Sequence, residues 1–434
     1  MKKSSLLLTI VCFSFTTAFA ASAFKTENWK TSNGTNVIFH QSMDVPMLDV
    51  SIAFAAGSAY DGSQFGLSAL TTRLLDQGNG GLDAGKIADQ FAETGAQYGA
   101  ASSQDAIVVT LRTLTQTEAL EKATRMFALL INHPDFPKDA FLREKNQQLM
   151  AITQSHESPD AIADETFFQA LYGQHPYAHP INGTTAHVNA LTIADIKHFY
   201  KKFLVGNNAT MVLVGAINSE TAHTLAERIT HDLPKGEHAP IIPTAQPLTE
   251  EKIIQVEHPS SQNVLRIGQL GITHQNPQYF SLQVGSYILG GGSLVSRLAH
   301  ELRETRGLTY GVSSQFSPMP GRGPFNISFS TKSNQSNAAA TLTRETLSSF
   351  VKTGPSEQEL TAAKDYLTGS FPLSLASNRS IADMILKIAF YDLPPDFLNT
   401  YIDHINAVST KSITDAFHNQ VNPNLLLQVT VGHV

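Results

Sequence analysis

The chain has 434 residues, 42% hydrophobic and 15% charged, a globular composition long enough for roughly two to four domains. Its net charge of -7 gives no basic footprint for nucleic acid, and that class of partner is excluded.

Residues 1–23 open with Lys2 and Lys3, run apolar from Leu6 to about Phe15, and end in Ala18-Phe19-Ala20 and Ala21-Ser22-Ala23. This is the layout of a secretory signal peptide cleaved after Ala20 or Ala23. The one cysteine, Cys12, lies inside it, so a mature chain carries none and cysteine catalysis or cysteine zinc sites are excluded. No later segment approaches the roughly 18 apolar residues that span a bilayer. The expectation is an exported protein, periplasmic in a cell with two membranes, with no transmembrane segment after processing.

An apolar strand over Leu48 to Ala55 leads through the turn-rich Ser58 to Phe65 into GLSALTTRLLDQGNGG, Gly66 to Gly81. That stretch reads as a helix stopped by Gly78, with Leu67, Leu70, Leu74 and Leu75 on one face. Thr71, Thr72, Arg73 and Asp76 take the other face and suggest no chemistry. A strand is expected over Ala106 to Leu111, and helices over Thr117 to Asn132 and Asp139 to His156. In YGQHPYAHPINGT, Tyr172 to Thr184, His175 and His179 have a spacing that would put both on one helical face. Pro176 and Pro180 argue for a loop instead, and no metal site is expected there. The pairs His156-Glu157 and His300-Glu301 read as isolated, exposed helix residues.

LTIADIKHFYKKFLVGNNATMVLVG, ending at Gly215, aligns without a gap on VSTKSITDAFHNQVNPNLLLQVTVG, ending at Gly432. Thr192 meets Ser409, Ile196 meets Ile413, Asn207 meets Asn424 and Val214 meets Val431. Each copy reads as an N-capped helix, an Asn-containing turn and a β-rich strand. Upstream, Phe136-Pro137-Lys138-Asp139 corresponds to Gly354-Pro355-Ser356-Glu357, each just before a helix. The chain is therefore an internal repeat. Residues 24–240 form one half, 255–434 the other, and the proline-containing stretch 241–254 is the linker. Runs of strands with consecutive helices between them give α+β halves, sheet on one side and helices on the other, with a cleft at their interface.

The second half continues with a strand over Val264 to Leu270 and then ILGGGSLVSRLAHELRETRGLTYGVSS, Ile288 to Ser314. Gly290, Gly291 and Gly292 read as a loop that lets backbone approach a ligand or partner. Arg303 and Tyr310 flank a helix break at Gly307. A guanidinium can hold a carbonyl or carboxylate, and a phenol can donate to a developing oxyanion. On the residues alone, a surface arginine and a core tyrosine are the simpler account. Phe325 to Ser330 reads as a strand, and Asn337 to Val351 and Glu357 to Ser370 as helices.

The two-domain repeat, the glycine-rich stretch with Arg303 and Tyr310, and YGQHPYAHPINGT together resemble the M16 zinc peptidase family, most of all its M16B branch. The resemblance covers essentially all of the mature chain. It implies two homologous LuxS/metallopeptidase-like domains, each a mostly antiparallel sheet packed against helices. It also implies that Arg303 and Tyr310 bind substrate and stabilise the tetrahedral intermediate, with Gly290 to Gly292 at the substrate. Zinc-bearing members read G-L-x-H-x-x-E-H where this chain has its first helix. Matching Gly66 and Leu67, the ligand and base positions fall on Ala69, Thr72 and Arg73, none of which can hold zinc or act as its base. The third ligand, a glutamate, falls at or next to Ala151, where Met150 and Ala151 carry no carboxylate. The resemblance thus implies a zinc-less subunit that binds no cofactor itself. Its expected partner is a zinc-bearing M16B subunit with an H-x-x-E-H motif, and their shared substrate a peptide or unfolded protein. The alternative is a non-proteolytic peptide-binding or scaffold protein of the same fold.

Overall fold

The computed structural model describes residues 24–433; the expected signal peptide, with Cys12, lies outside them. The first half opens with strands β1 (Glu27–Lys30), β2 (Asn36–Gln41) and β3 (Met47–Phe54). Helix α1 (Leu67–Arg73) follows, then the short pair β4 (Gly78–Asn79) and β5 (Leu82–Asp83) and helix α2 (Ala84–Thr94). The hairpin β6 (Gln97–Ser102) and β7 (Ile107–Leu114) precedes α3 (Thr117–Asn132), α4 (Lys138–Ser155) and α5 (Pro159–Tyr172). The half closes with α6 (Thr185–Ala190), α7 (Ile193–Phe203), β8 (Ala209–Gly215) and α8 (Ser219–Thr230).

The second half starts with β9 (Lys252–Glu257), β10 (Gln262–Leu270) and α9 (Tyr279–Ser286). Next come β11 (Val312–Phe316), β12 (Pro324–Lys332), α10 (Ser336–Thr353) and α11 (Glu357–Ser370). Helices α12 (Asn378–Phe390), α13 (Phe397–Ala407) and α14 (Thr410–Gln420) lead to β13 (Leu427–Gly432).

The repeat is explicit in the sheets. The first runs β1-β2-β8-β3-β7-β6 and the second β9-β13-β10-β12-β11. Apart from the additional β1, the orders coincide strand for strand. In both, the one parallel pair is the same, β2 with β8 and β9 with β13. Local sequence explains the match: Thr192 and Ser409 each close a capping box at the start of α7 and α14, and each helix feeds the strand that ends in glycine. Strand β3 is buried along nearly its whole length, as a central strand covered on both faces must be.

One expectation needs correction. The linker was expected over 241–254, but β9 begins at Lys252, because Lys252 to Glu257 pairs with β13. Nor is the remainder a free tether. Ile242 and Ala245 are buried, Ala245 N donates to Gly321 O at 2.9 Å, and His175 Nε2 meets Pro243 O at 2.7 Å.

The halves also exchange helices. Ala163, Phe167 and Leu171 of α5 pack with Val264, Leu270, Val429 and Val431 of the second sheet. Ala382, Ile385 and Leu386 of α12 join Ile38, Ala53, Val212 and Val214 of the first. Each large side chain so buried contributes about 1.5–3 kcal/mol, so separating the halves would expose both helices at high cost. Arg266 on β10 adds ion pairs to Asp160 and Asp164 at either end of one turn of α5, at 3.0 and 2.6 Å. A cleft of about 740 Å³ does lie between the halves, lined among others by Asp105, His156, Glu165, His179, Asn326 and Tyr391.

Candidate functional site

Helix α1 ends at Arg73, where Leu74 N–H turns back to Thr71 O, rather than near Gly78. Its apolar stripe is buried as expected, but its polar face is buried too. Ser68, Ala69, Thr71 and Thr72 are all inaccessible. Burial is tolerated because the hydroxyls of Thr71 and Thr72 donate to Leu67 O and Ser68 O, both at 2.8 Å, and so satisfy themselves within the helix. Arg73 is half-buried and makes no hydrogen bond or ion pair among the described residues.

The start of α1 is held from three sides. The buried Asp61 carboxylate accepts from Gly66 N and Ser68 N, both at 2.8 Å. Burial pushes its pKa up to about 8, against the pull of those backbone donors. From α4, the Gln148 amide donates to Gly66 O at 3.0 Å and Asn182 O at 2.8 Å. The helix that would carry the third zinc ligand therefore meets α1 through a neutral amide. Met150 points to solvent, 71% exposed, and Ala151 is half-buried. Among the described residues there is no group of three or more His, Cys, Asp or Glu side chains able to hold a metal.

The YGQHPYAHPINGT segment supplies the third side. His179 stacks on Phe65 at 4.1 Å, and His175 Nδ1 accepts from Tyr177 N at 3.2 Å. The prolines do break the helix that would have aligned the two rings: Pro176–Ala178 forms only a single 3-10 turn. Elsewhere His156 faces Glu165 at 3.5 Å, with Glu165 half-buried, and His300 faces Glu304 at 3.1 Å in an exposed pair.

Gly290 to Gly292 do not form a loop. Tyr287–Gly291 continues α9 as a π-helical turn, and none of the three glycines has positive φ. A Cβ on Gly290 would lie 2.6 Å from both Ser314 N and Ser314 Oγ, so this glycine lets the turn close onto β11. Gly291 is exposed and Gly292 half-buried. Arg303 sits on a second π-helical turn, Ala299–Glu304, and Gly307 breaks it at φ +61°. Tyr310 is 86% exposed, so it is not a core tyrosine. Neither side chain has a partner among the described residues. Their charged neighbours are all engaged: Arg306 with Glu301 at 2.5 Å, His300 with Glu304, Arg297 with Glu359.

Arg297, from the same motif, is structural. It binds Glu359 through two hydrogen bonds of 2.5 and 2.7 Å, donates to Gly354 O and lies over Phe350 at 5.0 Å. The Arg297 guanidinium, aided by Ser356, holds Glu359 down to about 2 against the ordinary 4.5. A depressed carboxylate stabilises the fold above its unfolded pKa, and that contribution fades as pH falls from about 4.5 through about 2. The urea midpoint of Glu359→Gln is thus expected below that of the wild type at pH 6, with the gap narrowing at pH 3.5. A gap that holds constant across that range would remove the ion pair as its source.

Sequence reading missed a cluster that spans the halves. Asp105 accepts from Tyr177 OH at 2.6 Å and from Tyr391 OH at 3.1 Å, and burial raises its pKa. Tyr391 in turn stacks on His274 at 3.8 Å. The only local hint is an Asp in a β-turn before β7; its partners lie far away in the chain.

Similarity to known proteins bears on the family and the fold. The model of the insulinase family, peptidase family M16, matches residues 37–185, and that of the peptidase M16 inactive domain matches 190–367. A crystal structure of a peptidase M16 inactive domain from Pseudomonas fluorescens is 34% identical, with a TM-score of 0.92 over 94% of this chain and 98% of that one. A Helicobacter pylori relative named non-peptidase homolog YmxG is 26% identical over 89% of both chains. A Bacillus subtilis relative, 24% identical over 88% of this chain and 92% of its own, is named an uncharacterized zinc protease, YmxG. No described helix is long and apolar enough to cross a membrane. With two M16 domains in sequence and in fold, and no ligand set at the zinc-helix position, the chain belongs to peptidase family M16 as a homologue of the inactive type.

Proposed function

We propose that this chain is the zinc-less subunit of a heterodimeric M16B peptidase, exported to the periplasm by a leader at residues 1–23. The partner subunit supplies the H-x-x-E-H helix and its zinc-bound water. This chain supplies Arg303 to hold the substrate backbone and Tyr310 to donate to the oxyanion, with Gly291 and Gly292 bordering the substrate and Gly290 seating the turn beneath them. The observation that carries the reading is the state of Arg303 and Tyr310: Tyr310 is exposed, Arg303 is half-buried, and neither side chain has a partner among the described residues, while the neighbouring charges are all paired. Oxyanion donors act only within about 3 Å of the reacting oxygen, so the two side chains must face the other subunit across a shared chamber. An extended peptide or unfolded protein is the substrate, and the free edge of the first sheet at β6 suits an added strand.

Co-expression with an exported H-x-x-E-H homologue tests this. The expected result is a stable complex that cleaves unfolded peptides while each chain alone does not, with zinc only in the partner. Equimolar zinc in this chain alone, or cleavage by it alone, would sink the proposal. The Helicobacter pylori relative's name favours a second reading, a non-proteolytic peptide-binding or scaffold protein. A complex that forms and never cleaves would select it.

A further inference from the structure

A pocket of about 270 Å³ in the second domain is bordered by Gly291 and shares Gln315 and Pro318 with the cleft between the halves. Tyr279 and Leu282 of α9, Phe316 of β11 and Leu367 of α11 give it apolar walls; Gln283 and Lys387 of α12 add polar groups. The Lys387 ammonium makes no hydrogen bond or ion pair among the described residues. Burial holds its pKa below the usual lysine value. Beside it, His274 is 6% exposed and neither ring nitrogen has a protein partner. Burial, then the Lys387 charge, push that imidazole down to about 4, so it is neutral at pH 7 and leaves Lys387 the pocket's cation. The nearest acid along α12, Asp383, pairs with Arg379 instead. Gln283 Nε2 donates to Tyr401 OH, while its Oε1 is buried without a partner.

A half-buried ammonium against apolar walls is stabilised by an anion that brings its own apolar body. The volume suits one residue-sized group rather than an extended ligand. The unpartnered Gln283 acceptor calls for an N–H on the same ligand. We infer that this pocket binds the C-terminal residue of a peptide, with an apolar side chain among Tyr279, Leu282, Phe316 and Leu367 and its carboxylate on Lys387. The pocket is lined by this chain alone, so its binding is measurable without a partner, and it adjoins the proposed shared site at Gly291.

Calorimetric titration of the full mature chain, without a partner, tests it with N-acetyl-leucine, N-acetyl-leucinamide and hexanoate. N-acetyl-leucine is expected to bind, with the amide roughly tenfold weaker or worse because the charge-assisted bond is lost. Hexanoate, lacking the N–H, binds more weakly than N-acetyl-leucine. Lys387→Met erases the difference between acid and amide and Lys387→Arg retains it, with thermal midpoints reporting that both variants fold. Equal binding of acid and amide, or no binding of the acid, overturns the inference. Hexanoate matching N-acetyl-leucine overturns the peptide assignment. Each of these results leaves cleavage by the reconstituted complex intact, so the two proposals fail separately.

Discussion

In the reconstituted complex, Arg303→Ala and Tyr310→Phe each lower kcat/KM by about 10²- to 10³-fold, the loss typical of one missing oxyanion-site donor. The thermal midpoint of this chain stays near the wild-type value in both, because Tyr310 is exposed and neither side chain makes a hydrogen bond or ion pair among the described residues. The two losses differ in kind. Tyr310→Phe removes only a hydroxyl that acts as negative charge develops, so it lowers kcat with KM nearly unchanged. Arg303→Ala removes a group that holds the substrate backbone before and during reaction, so KM rises as well. Arg306→Ala is the matched control: it is on the same turn but paired with Glu301, and it leaves cleavage unaltered. Unchanged rates in Arg303→Ala and Tyr310→Phe would exclude a shared site, whatever the complex does.

What was legible in the sequence was whatever is encoded over short spans. Capping at Thr192 and Ser409 and the strand over Ala106 to Leu111 are local, and the gap-free repeat pointed to two α+β halves, whose sheets share one strand order apart from β1. The positions of Ala69, Thr72 and Arg73 come from the family resemblance, and residue type then shows that none of the three can ligate zinc or act as its base. Four features were not legible. The exchange of α5 and α12 depends on which sheet each helix meets, and their composition is the same for either choice. The burial of Thr71 and Thr72 on the polar face of α1 was not legible, because their hydroxyls are satisfied inside the helix, which periodicity does not record. Gly290 to Gly292 suggested a loop, but here glycine provides closeness rather than positive φ. The Asp105 cluster joins residues from both halves and a motif whose visible feature was its histidines, not Tyr177.

Substituting Gly183 is expected to cost more stability than any surface change in the first half. The residue has φ +72°, and a Cβ there would collide with Phe65 O and sit 2.5 Å from Phe65 C and 2.7 Å from Gly66 N. These are backbone atoms that a rotamer change cannot move. Gly66, at φ +91°, is confined in the same way by Asn182 O at 2.5 Å and Gln148 Nε2 at 2.8 Å. The two glycines therefore interlock the YGQHPYAHPINGT segment with the entry to α1, and opening that contact would also disturb the buried Asp61 and Gln148 hydrogen bonds. Gly183→Ala should lower the unfolding free energy by about 3 kcal/mol or more, strain and lost hydrogen bonds together. Gly95→Ala separates the two effects: this glycine caps α2 at φ +65° with nothing within 4 Å, so only the conformational penalty of about 1 kcal/mol applies. Urea titrations of both variants decide the matter. Equal losses at Gly183 and Gly95 would mean that the segment does not clamp α1, and that positive φ alone explains both glycines.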